Sequence, residues 1–426
     1  MGNPSARAFR GSGIPEIDRL ELEFAAKRAF TWKRENKQVV ACYSVRGQGM
    51  LQFRRITTQK RFIPQIDGLR FVAIGSVVLF HLYSVLERGA IPEPVPLNTD
   101  LAKRGVELFF AISGFILGVP FASRYLLGAP RVNLKQYFLR RLTRLEPPYF
   151  ISLFVCAALQ LVWSHRPARD IAPHLLASFV YLHNMIYGAF SGAVNTVAWS
   201  LEVEVQFYIL VPLLTILFAV SDWRVRRAII LVLMLVAGLL SNPLYPTLHL
   251  HASIAYYLAF FLAGFLVCDL YLTRDEWKPS FVWDTFAVCG WPLVWILPRN
   301  FGHVALPFVI VLLYLAAFRG RIFPAIFSNR AITNIGGMCY SIYLFHSMIL
   351  FAVKHFTWPL HVGQNFWVYF VLQGALGIPA VLLICGAFFL MIERPCMDRE
   401  WPRKVWKFAQ AQFAPAASEQ ATQVAE

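Results

Sequence analysis

The sequence is short of charge. Of its 426 residues, only 15% are Asp, Glu, Lys or Arg, while 57% are hydrophobic; in a soluble protein about a quarter of the residues are charged. Long apolar runs recur from Ile66 to Ile392, and none has the short alternating pattern of β-barrel strands. The low charge and the long apolar runs exclude a soluble globular protein. They predict an all-α fold, a polytopic bundle of membrane helices.

Paired cysteines are also missing. The seven cysteines are scattered without a C-x-x-C pair, so we expect no disulfide framework, no metal site and no permanently bound cofactor. Basic residues outnumber acidic ones by 40 to 24, which gives a formal net charge of +16. Because the basic residues cluster in alternate loops, the positive-inside rule explains this excess better than nucleic-acid binding. The predicted partner is a lipid bilayer, not a nucleic acid.

Length and loop charge predict about ten membrane spans, near residues 67–86, 104–122, 145–163, 199–220, 227–241, 253–271, 281–297, 303–318, 333–354 and 365–392. The basic loops fall on one side, which places both termini in the cytoplasm. We interpret the apolar segment 171–190 as an outer-side interfacial or re-entrant segment. The expected organisation is a weakly structured cytoplasmic tail (1–60), a membrane domain (61–396) and a second cytoplasmic tail (397–426).

The first predicted span contains three ionisable residues, Asp67, Arg70 and His81. Such groups are costly inside a membrane, so each is a functional candidate. His81 lies eleven residues after Arg70, close to three full helical turns, so the two side chains share one face with Asp67 beside them. We expect Asp67 to pair with Arg70 at i,i+3 spacing, which offsets the cost of burying both charges.

Counting residues from the ends of the predicted helices places several further ionisable groups at one depth in the membrane. At a rise of about 1.5 Å per residue, His81 lies roughly 20 Å into its span, in the outer half. Glu107, Glu202, Glu204 and His346 are predicted at a similar depth on other spans. An acid–base site is therefore expected nearer the outer side of the membrane.

The two glutamates of the fourth span can be separated by helix geometry. Glu202 and Glu204 are two residues apart, so they point to nearly opposite faces, and only one can face the same cavity as His81. Ser200 and Tyr208 share the face of Glu204 through i,i+4 spacing.

An imidazole beside a carboxylate is suited to general-base catalysis, because the carboxylate fixes the tautomer and stabilises the imidazolium. His81 is therefore the predicted base, with either Glu107 or Glu204 as its partner. Arg141 and Arg144 suit a phosphate group, since a guanidinium binds phosphate through two parallel hydrogen bonds. A phosphorylated donor from the cytoplasm fits these arginines, and coenzyme A has a pantetheine arm slender enough to enter a helix bundle.

Six motifs follow one another along the chain: IDGLRFVAIGSVVLFH, GVELFFAISGF, RRLTRLEPPYF, WSLEVEVQFYILVP, CYSIYLFH and IERP. Over about 66–396 they resemble the membrane acyltransferase-3 family, which includes bacterial O-antigen, exopolysaccharide and Nod-factor O-acetylases. The resemblance implies an enzyme of the bacterial inner membrane that transfers an acyl group, usually acetyl from acetyl-CoA, to a hydroxyl of a carbohydrate acceptor. It also implies catalytic roles for His81, Glu204 and Glu107 and binding of the acyl-CoA donor by Arg70, Arg141 and Arg144.

The sequence departs from the family pattern W-S-L-x-x-E-E at one place. Val205 stands where a second glutamate is usual, and Glu202 is additional, so the role of Glu202 stays open. Some members of the family carry a C-terminal extracytoplasmic hydrolase-like domain. This sequence ends soon after the IERP motif, and we expect no such domain in it.

Several alternatives stay open at this point. A proton-coupled secondary transporter could use the same buried His and Glu residues, although the sequence shows no internal repeat. An enzyme of the same family could acylate a lipid or a small molecule. We expect direct transfer without an acyl-enzyme, but Ser113 and Ser341 stay candidate nucleophiles, and His346 is open between a packing role and a site role.

Overall fold

The structure, a computed structural model, describes residues 53, 55–56, 62–87, 101–244, 250–273, 278–357, 365–398, 400–403, 406 and 410, without the side chains of 101–103, 242–244 and 299–300. Within these ranges all regular secondary structure is helical, so the predicted all-α class is confirmed. The described helices, apart from Leu127 at the end of one of them, fall within one compact unit. Most residues of the two predicted tails lie outside the described residues.

The main helices are α1 (Pro64–Glu87), α2 (Leu101–Leu127), α3 (Leu134–Val162), α4 (Ala168–Phe179), α5 (His183–Tyr187), α6 (Trp199–Leu214), α7 (Trp223–Leu244), α8 (Ile254–Leu272), α9 (Phe281–Ile296), α10 (Arg299–Arg319), α11 (Phe323–Phe327), α12 (Arg330–Gly337), α13 (Cys339–Thr357) and α14 (Phe366–Phe388). A 3₁₀ turn, Thr215–Ala219, extends α6, and a π-helix, Phe389–Glu393, extends α14.

Seven of the described helices are long and apolar enough to cross a membrane, and a bent pair of helices raises that number to eight. The chain is therefore a multi-pass membrane protein. The other two predicted spans fall on α7, which carries three arginines in its first five residues, and on α9. With 16 residues, α9 is shorter than the roughly 20 that a span usually needs, so the total of ten spans stays a prediction.

Two of the predicted spans differ from the helices in the structure, one in its shape and one in its starting residue. The span predicted at 333–354 is not one helix, because α12 and α13 meet at an angle of 73°; α12 ends in Gly336–Gly337, and glycine does little to keep a chain helical. The span predicted from 145 begins eleven residues earlier, at Leu134. The side chain of Asn133 accepts a hydrogen bond from the backbone N–H of Gln136 and so fixes that start.

The segment predicted at 171–190 forms α4 and α5, which fold back along α3. Near the end of α3, Gln160 donates to the backbone oxygens of Ala193 and Val194. At the tip, Tyr181 donates to Glu146 over 3.0 Å, and Glu146 lies about midway along α3. The segment therefore enters and leaves beside the same end of α3, which is the geometry of the re-entrant alternative.

Contacts between helices show which helix ends lie together. The α2 and α8 helices touch through glycine, since a methyl group on Gly114 would lie 2.2 Å from the backbone oxygen of Phe261, and small residues allow such approach in membranes. Arg227 at the start of α7 pairs with Asp269 at the end of α8. We call the end where α2 and α8 finish and α3 and α7 begin the basic end, because Arg124, Arg140, Arg224, Arg226 and Arg227 lie there.

Candidate active site

A cavity lies between five helices near the basic end. Its empty space is about 960 Å³, including open solvent at its mouth. The polar part of its wall comes from α1, α2, α3, α6 and α13, and consists of Arg70, Ser113, Arg141, Arg144, Ser200, Glu204, Tyr208, Cys339, Tyr340 and Tyr343. The apolar part is supplied mainly by α2, with Phe109, Phe110, Ile112, Ile116 and Leu117. A mixed wall of this kind suits a ligand with a charged end and a slender apolar arm.

Arg70 is held in place by a buried carboxylate. Its guanidinium donates to Asp67 over 2.7 Å, which confirms the predicted i,i+3 pair. On the other side, Nε of Arg55 lies 3.0 Å from the same carboxylate. Sequence reasoning missed Arg55, because it falls in the predicted tail and belongs to no motif.

The two predicted phosphate-binding arginines also line the cavity. Nε of Arg141 and Nε of Arg144 are buried and have no hydrogen-bond partner among the described residues. The Arg141 guanidinium lies over the ring of Tyr137, 4.8 Å from its centroid, which is a cation–π contact. Three arginines and one glutamate line the cavity, so its wall carries an excess of positive charge, which attracts anions.

Glu204 and Glu202 face opposite ways, as predicted. Glu204 lines the cavity, where it accepts a hydrogen bond of 2.6 Å from the hydroxyl of Ser113. Ser200 and Tyr208 line the same cavity, which confirms their shared face. Glu202 instead accepts from the backbone N–H of Asn184 over 2.8 Å. That contact holds the start of α5 against α6, so the additional glutamate has a structural partner.

His81 meets another histidine. Nδ1 of His81 lies 3.2 Å from Nε2 of His346 and 2.9 Å from the backbone oxygen of Val77. His346 is fully buried, and its own Nδ1 lies 2.8 Å from the backbone oxygen of Ile342. The structure thus places the candidate base beside His346, which favours the site role for that residue over simple packing.

The histidine pair lies one helical turn beyond the cavity. Tyr343 belongs to the cavity wall, and His346 follows it by three residues on α13, a rise of about 4.5 Å. The Tyr343 hydroxyl also lies 2.6 Å from that of Ser200. We call the series of groups from Arg70, through Ser200 and Tyr343, to His346 the polar path. Neither histidine belongs to the described cavity wall, and Arg70 and His81 lie about 16 Å apart along α1 at the usual helical rise.

Glu107 lies away from this path. Gly105 packs directly against the backbone of Ala73 on α1, and Glu107, two residues later on α2, points to the opposite side. There its carboxylate forms a buried ion pair of 2.9 Å with Arg104, beside His303 of α10. These contacts favour an ion-pair role for Glu107 over the predicted catalytic role, because an unpaired Arg104 would be costly to bury.

Ser341, a candidate nucleophile, lies outside the cavity wall. It is fully buried, and its hydroxyl donates to Glu393 over 2.5 Å. Glu393 is carried by the π-helix that ends the last long helix. The serine is thus engaged in holding α13 to that π-helix.

These features define a class of protein: a multi-pass helical membrane protein with a cationic cavity near a pair of histidines, one of which is fully buried. The chain belongs to the acyltransferase-3 family, because the family's acyltransferase domain matches residues 63–388. The family resemblance of the six motifs is therefore confirmed.

Individual relatives are similar over the same region. The chain is 23% identical to the peptidoglycan O-acetyltransferase OatA of Listeria monocytogenes, over 79% of this chain and 56% of that protein. It is 25% identical to a putative O-acetyltransferase of Staphylococcus aureus (strain COL), over 79% and 57%, and 24% identical to the O-acetyltransferase OatA of strain NCTC 8325, over 70% and 52%. The chain thus spans little more than half the length of these relatives. No solved structure matches it.

Proposed function

We propose that this chain is a membrane O-acyltransferase that moves an acyl group from acyl-CoA to a hydroxyl of a carbohydrate acceptor. The names of its relatives favour acetyl as the group, and the proposal of acetyl-CoA as the donor rests on the family resemblance and on the cavity arginines. The observation that supports the proposal is the arginine-lined cavity, whose wall includes Tyr343, one helical turn before His346 of the His81–His346 pair.

The donor enters from the basic end. Arg70, Arg141 and Arg144 bind its phosphate groups, since guanidinium groups match phosphate geometry. The pantetheine arm follows the apolar wall of α2 toward Tyr343. The positive-inside rule places the basic end, and both termini, on the cytoplasmic side of a bacterial inner membrane, where acyl-CoA is available.

The chemistry is a single displacement. His81 accepts the proton of the acceptor hydroxyl, and the alkoxide attacks the thioester carbonyl. The ester C–O bond forms, the C–S bond breaks, and the thiolate of coenzyme A takes up the proton held by His81. Glu204 lines the donor cavity in this scheme, so its predicted part in catalysis is confined to the donor end of the path.

The test uses membranes that contain the full chain and their native glycans. They receive acetyl-CoA labelled in the acetyl group, and label in base-labile esters of the glycan fraction is measured. We expect transfer by the wild type and none by His81→Gln inserted at an equal level. Transfer by His81→Gln at the wild-type rate would refute the role of His81. If the wild type consumed no acetyl-CoA, the proposed acyltransferase activity would be refuted and the transporter alternative favoured.

A further inference from the structure

Five residues form the part of the cavity wall that is farthest from the basic end. The α2 helix finishes at the basic end, and α6 runs through its 3₁₀ turn toward the start of α7 there, so the cavity residues nearest the starts of α2 and α6 are the most distant ones. These are Phe109 and Phe110 on α2 and Ser200 and Leu201 on α6. Tyr343 of α13 joins them, because its hydroxyl lies 2.6 Å from that of Ser200. We call these five residues the far wall.

The far wall is tightly packed. Leu201 is 3% exposed and Phe110 is 2% exposed. The ring of Phe110 lies 4.9 Å from that of Tyr257 and 4.8 Å from that of Phe261, both on α8. Protein interiors are packed as densely as organic crystals, so these side chains have little room to move aside. A ligand that reaches the far wall therefore stops there.

The two hydroxyl groups of the far wall bind each other and the backbone. The hydroxyl of Tyr343 donates to the backbone oxygen of Val197, since a carbonyl oxygen only accepts hydrogen bonds. The hydroxyl of Ser200 must then donate to the oxygen of Tyr343. Both hydroxyl hydrogens are thus used within the protein. The far wall is therefore suited to the apolar end of a ligand rather than to its phosphate or carbonyl groups.

The opposite part of the cavity carries the positive charge. The Arg141 guanidinium lies 5.7 Å from the ring centroid of Tyr208, and Tyr208 follows Leu201 by seven residues on α6, a rise of about 10 Å. On α2, Leu117 follows Phe109 by eight residues, a rise of about 12 Å. A donor whose phosphates bind the arginines and whose arm follows α2 therefore brings its acyl group to the far wall.

We propose that Leu201 is a specificity-determining residue, which limits the length of the acyl group that the enzyme transfers. The inference rests on the proposed function, because it depends on that orientation of the donor. Leu201 is the aliphatic member of the far wall, and an acyl group longer than acetyl must displace its side chain. One methylene in an apolar pocket changes kcat/KM by about tenfold to two-hundredfold. The far wall therefore selects acetyl over propionyl and butyryl.

Two identical substitutions at opposite ends of the cavity test this role. Leu201 and Leu117 both line the cavity and are both 3% exposed, but Leu117 lies toward the basic end. Membranes holding the full chain and their native glycans receive acetyl-, propionyl- or butyryl-CoA labelled in the acyl group. The value of kcat/KM is determined for each donor from the label in base-labile esters of the glycan fraction.

We expect the wild type to prefer acetyl over butyryl by at least about a hundredfold, which is tenfold for each of two methylenes. Leu201→Ala removes three carbon atoms from the far wall, so its preference should fall below about tenfold. Leu117→Ala enlarges the cavity away from the acyl group, so it should keep the wild-type preference. Because each preference is a ratio within one membrane sample, differences in the amount of inserted protein cancel.

Leu201→Val extends the test if Leu201→Ala does not insert. It removes one carbon atom, and we expect it to raise the use of propionyl relative to acetyl by about tenfold. Three results would overturn the proposal: a wild type without a preference for acetyl, an unchanged preference in the Leu201 variants, or the same fall in preference for Leu117→Ala as for Leu201→Ala. The proposed function fails separately, if the wild type transfers no acyl group from any of the three donors.

Discussion

Gly336 of α12 lies directly against the backbone of Asp67: a methyl group at this position would be 1.8 Å from the Asp67 carbonyl oxygen. The contact joins the bent α12–α13 pair to the turn of α1 that holds Arg70. A side chain of any size must therefore push α12 and α1 apart, which disturbs the turn of α1 whose Asp67 carboxylate orients Arg70.

We predict that Gly336→Ala reduces the amount of folded protein and the acyl transfer per folded molecule. Overpacking of this kind typically costs about 1–3 kcal/mol. Thermal unfolding in detergent and label transfer in membranes measure the two effects. Gly75→Ala on α1 is the control, because nothing lies within 4 Å of a methyl group there. Equal stability of the two variants would show that α12 can shift without consequence.

The arginines of α3 give the second prediction. Arg141→Ala and Arg144→Ala are each expected to raise KM for acetyl-CoA by about tenfold to a hundredfold. The reason is that a hydrogen bond to a charged group contributes about 1.5–3 kcal/mol. We expect kcat to change much less, because both arginines lie at the donor end of the polar path. Steady-state kinetics in membranes separate the two constants.

Arg131→Ala is the matched control for these variants. Arg131 lies just before α3, is exposed and does not belong to the cavity wall, so its loss removes a charge from the same end without changing the cavity. If Arg131→Ala raised KM as much as the cavity variants, general surface charge rather than the cavity would account for donor binding.

The Ser113–Glu204 hydrogen bond gives the third prediction. In a single displacement Ser113 is never acylated, so its hydroxyl only orients the carboxylate of Glu204. We predict that Ser113→Ala retains acetyl transfer, with a loss of about tenfold to a hundredfold, since a hydrogen bond to a charged group contributes about 1.5–3 kcal/mol. Without acceptor, labelled acetyl-CoA should leave no hydroxylamine-labile label on the protein. Label that is present in the wild type and absent from Ser113→Ala would establish Ser113 as a nucleophile.

The sequence predicted the contacts that depend on helix periodicity. Asp67 and Arg70 pair because they are three residues apart on one helix, and Glu204 shares its face with Ser200 through the i,i+4 rule. The same rule would have predicted the Arg104–Glu107 pair, which also has i,i+3 spacing. The catalytic role predicted for Glu107 came from the family resemblance, which carries no information about this pair.

Contacts between distant parts of the chain were not predictable in this way. His81 and His346 are 265 residues apart, and nothing in the periodicity of either helix says which other helix it will touch. The partner of the base was therefore expected among the carboxylates, where general-base chemistry usually finds it. Helix periodicity does not predict the re-entrant course of α4 and α5 either. That course depends on hydrogen bonds that Gln160 and Tyr181 make between distant parts of the chain.

A pair of histidines in the re-entrant segment gives the last prediction, a dependence of stability on pH. Nδ1 of His174 lies 3.0 Å from Nε2 of His183, and Arg166 is nearby. Burial, with Arg166 as a second cause, lowers the pKa of His174, and burial, with His174 and Arg166, lowers the pKa of His183. Both imidazoles therefore bind protons less readily in the folded state than in the unfolded state.

Because the unfolded state then binds more protons, stability falls as the pH drops below about 6.5, the usual histidine pKa. We predict that the melting temperature in detergent is constant above pH 7 and decreases between pH 6.5 and the lowered pKa values. His183→Asn removes one of the two groups and should flatten that decrease, whereas the exposed His355 lies elsewhere, so His355→Asn should leave it unchanged. A wild-type melting temperature that does not fall on acidification would show that both rings accept protons in the folded protein without strain.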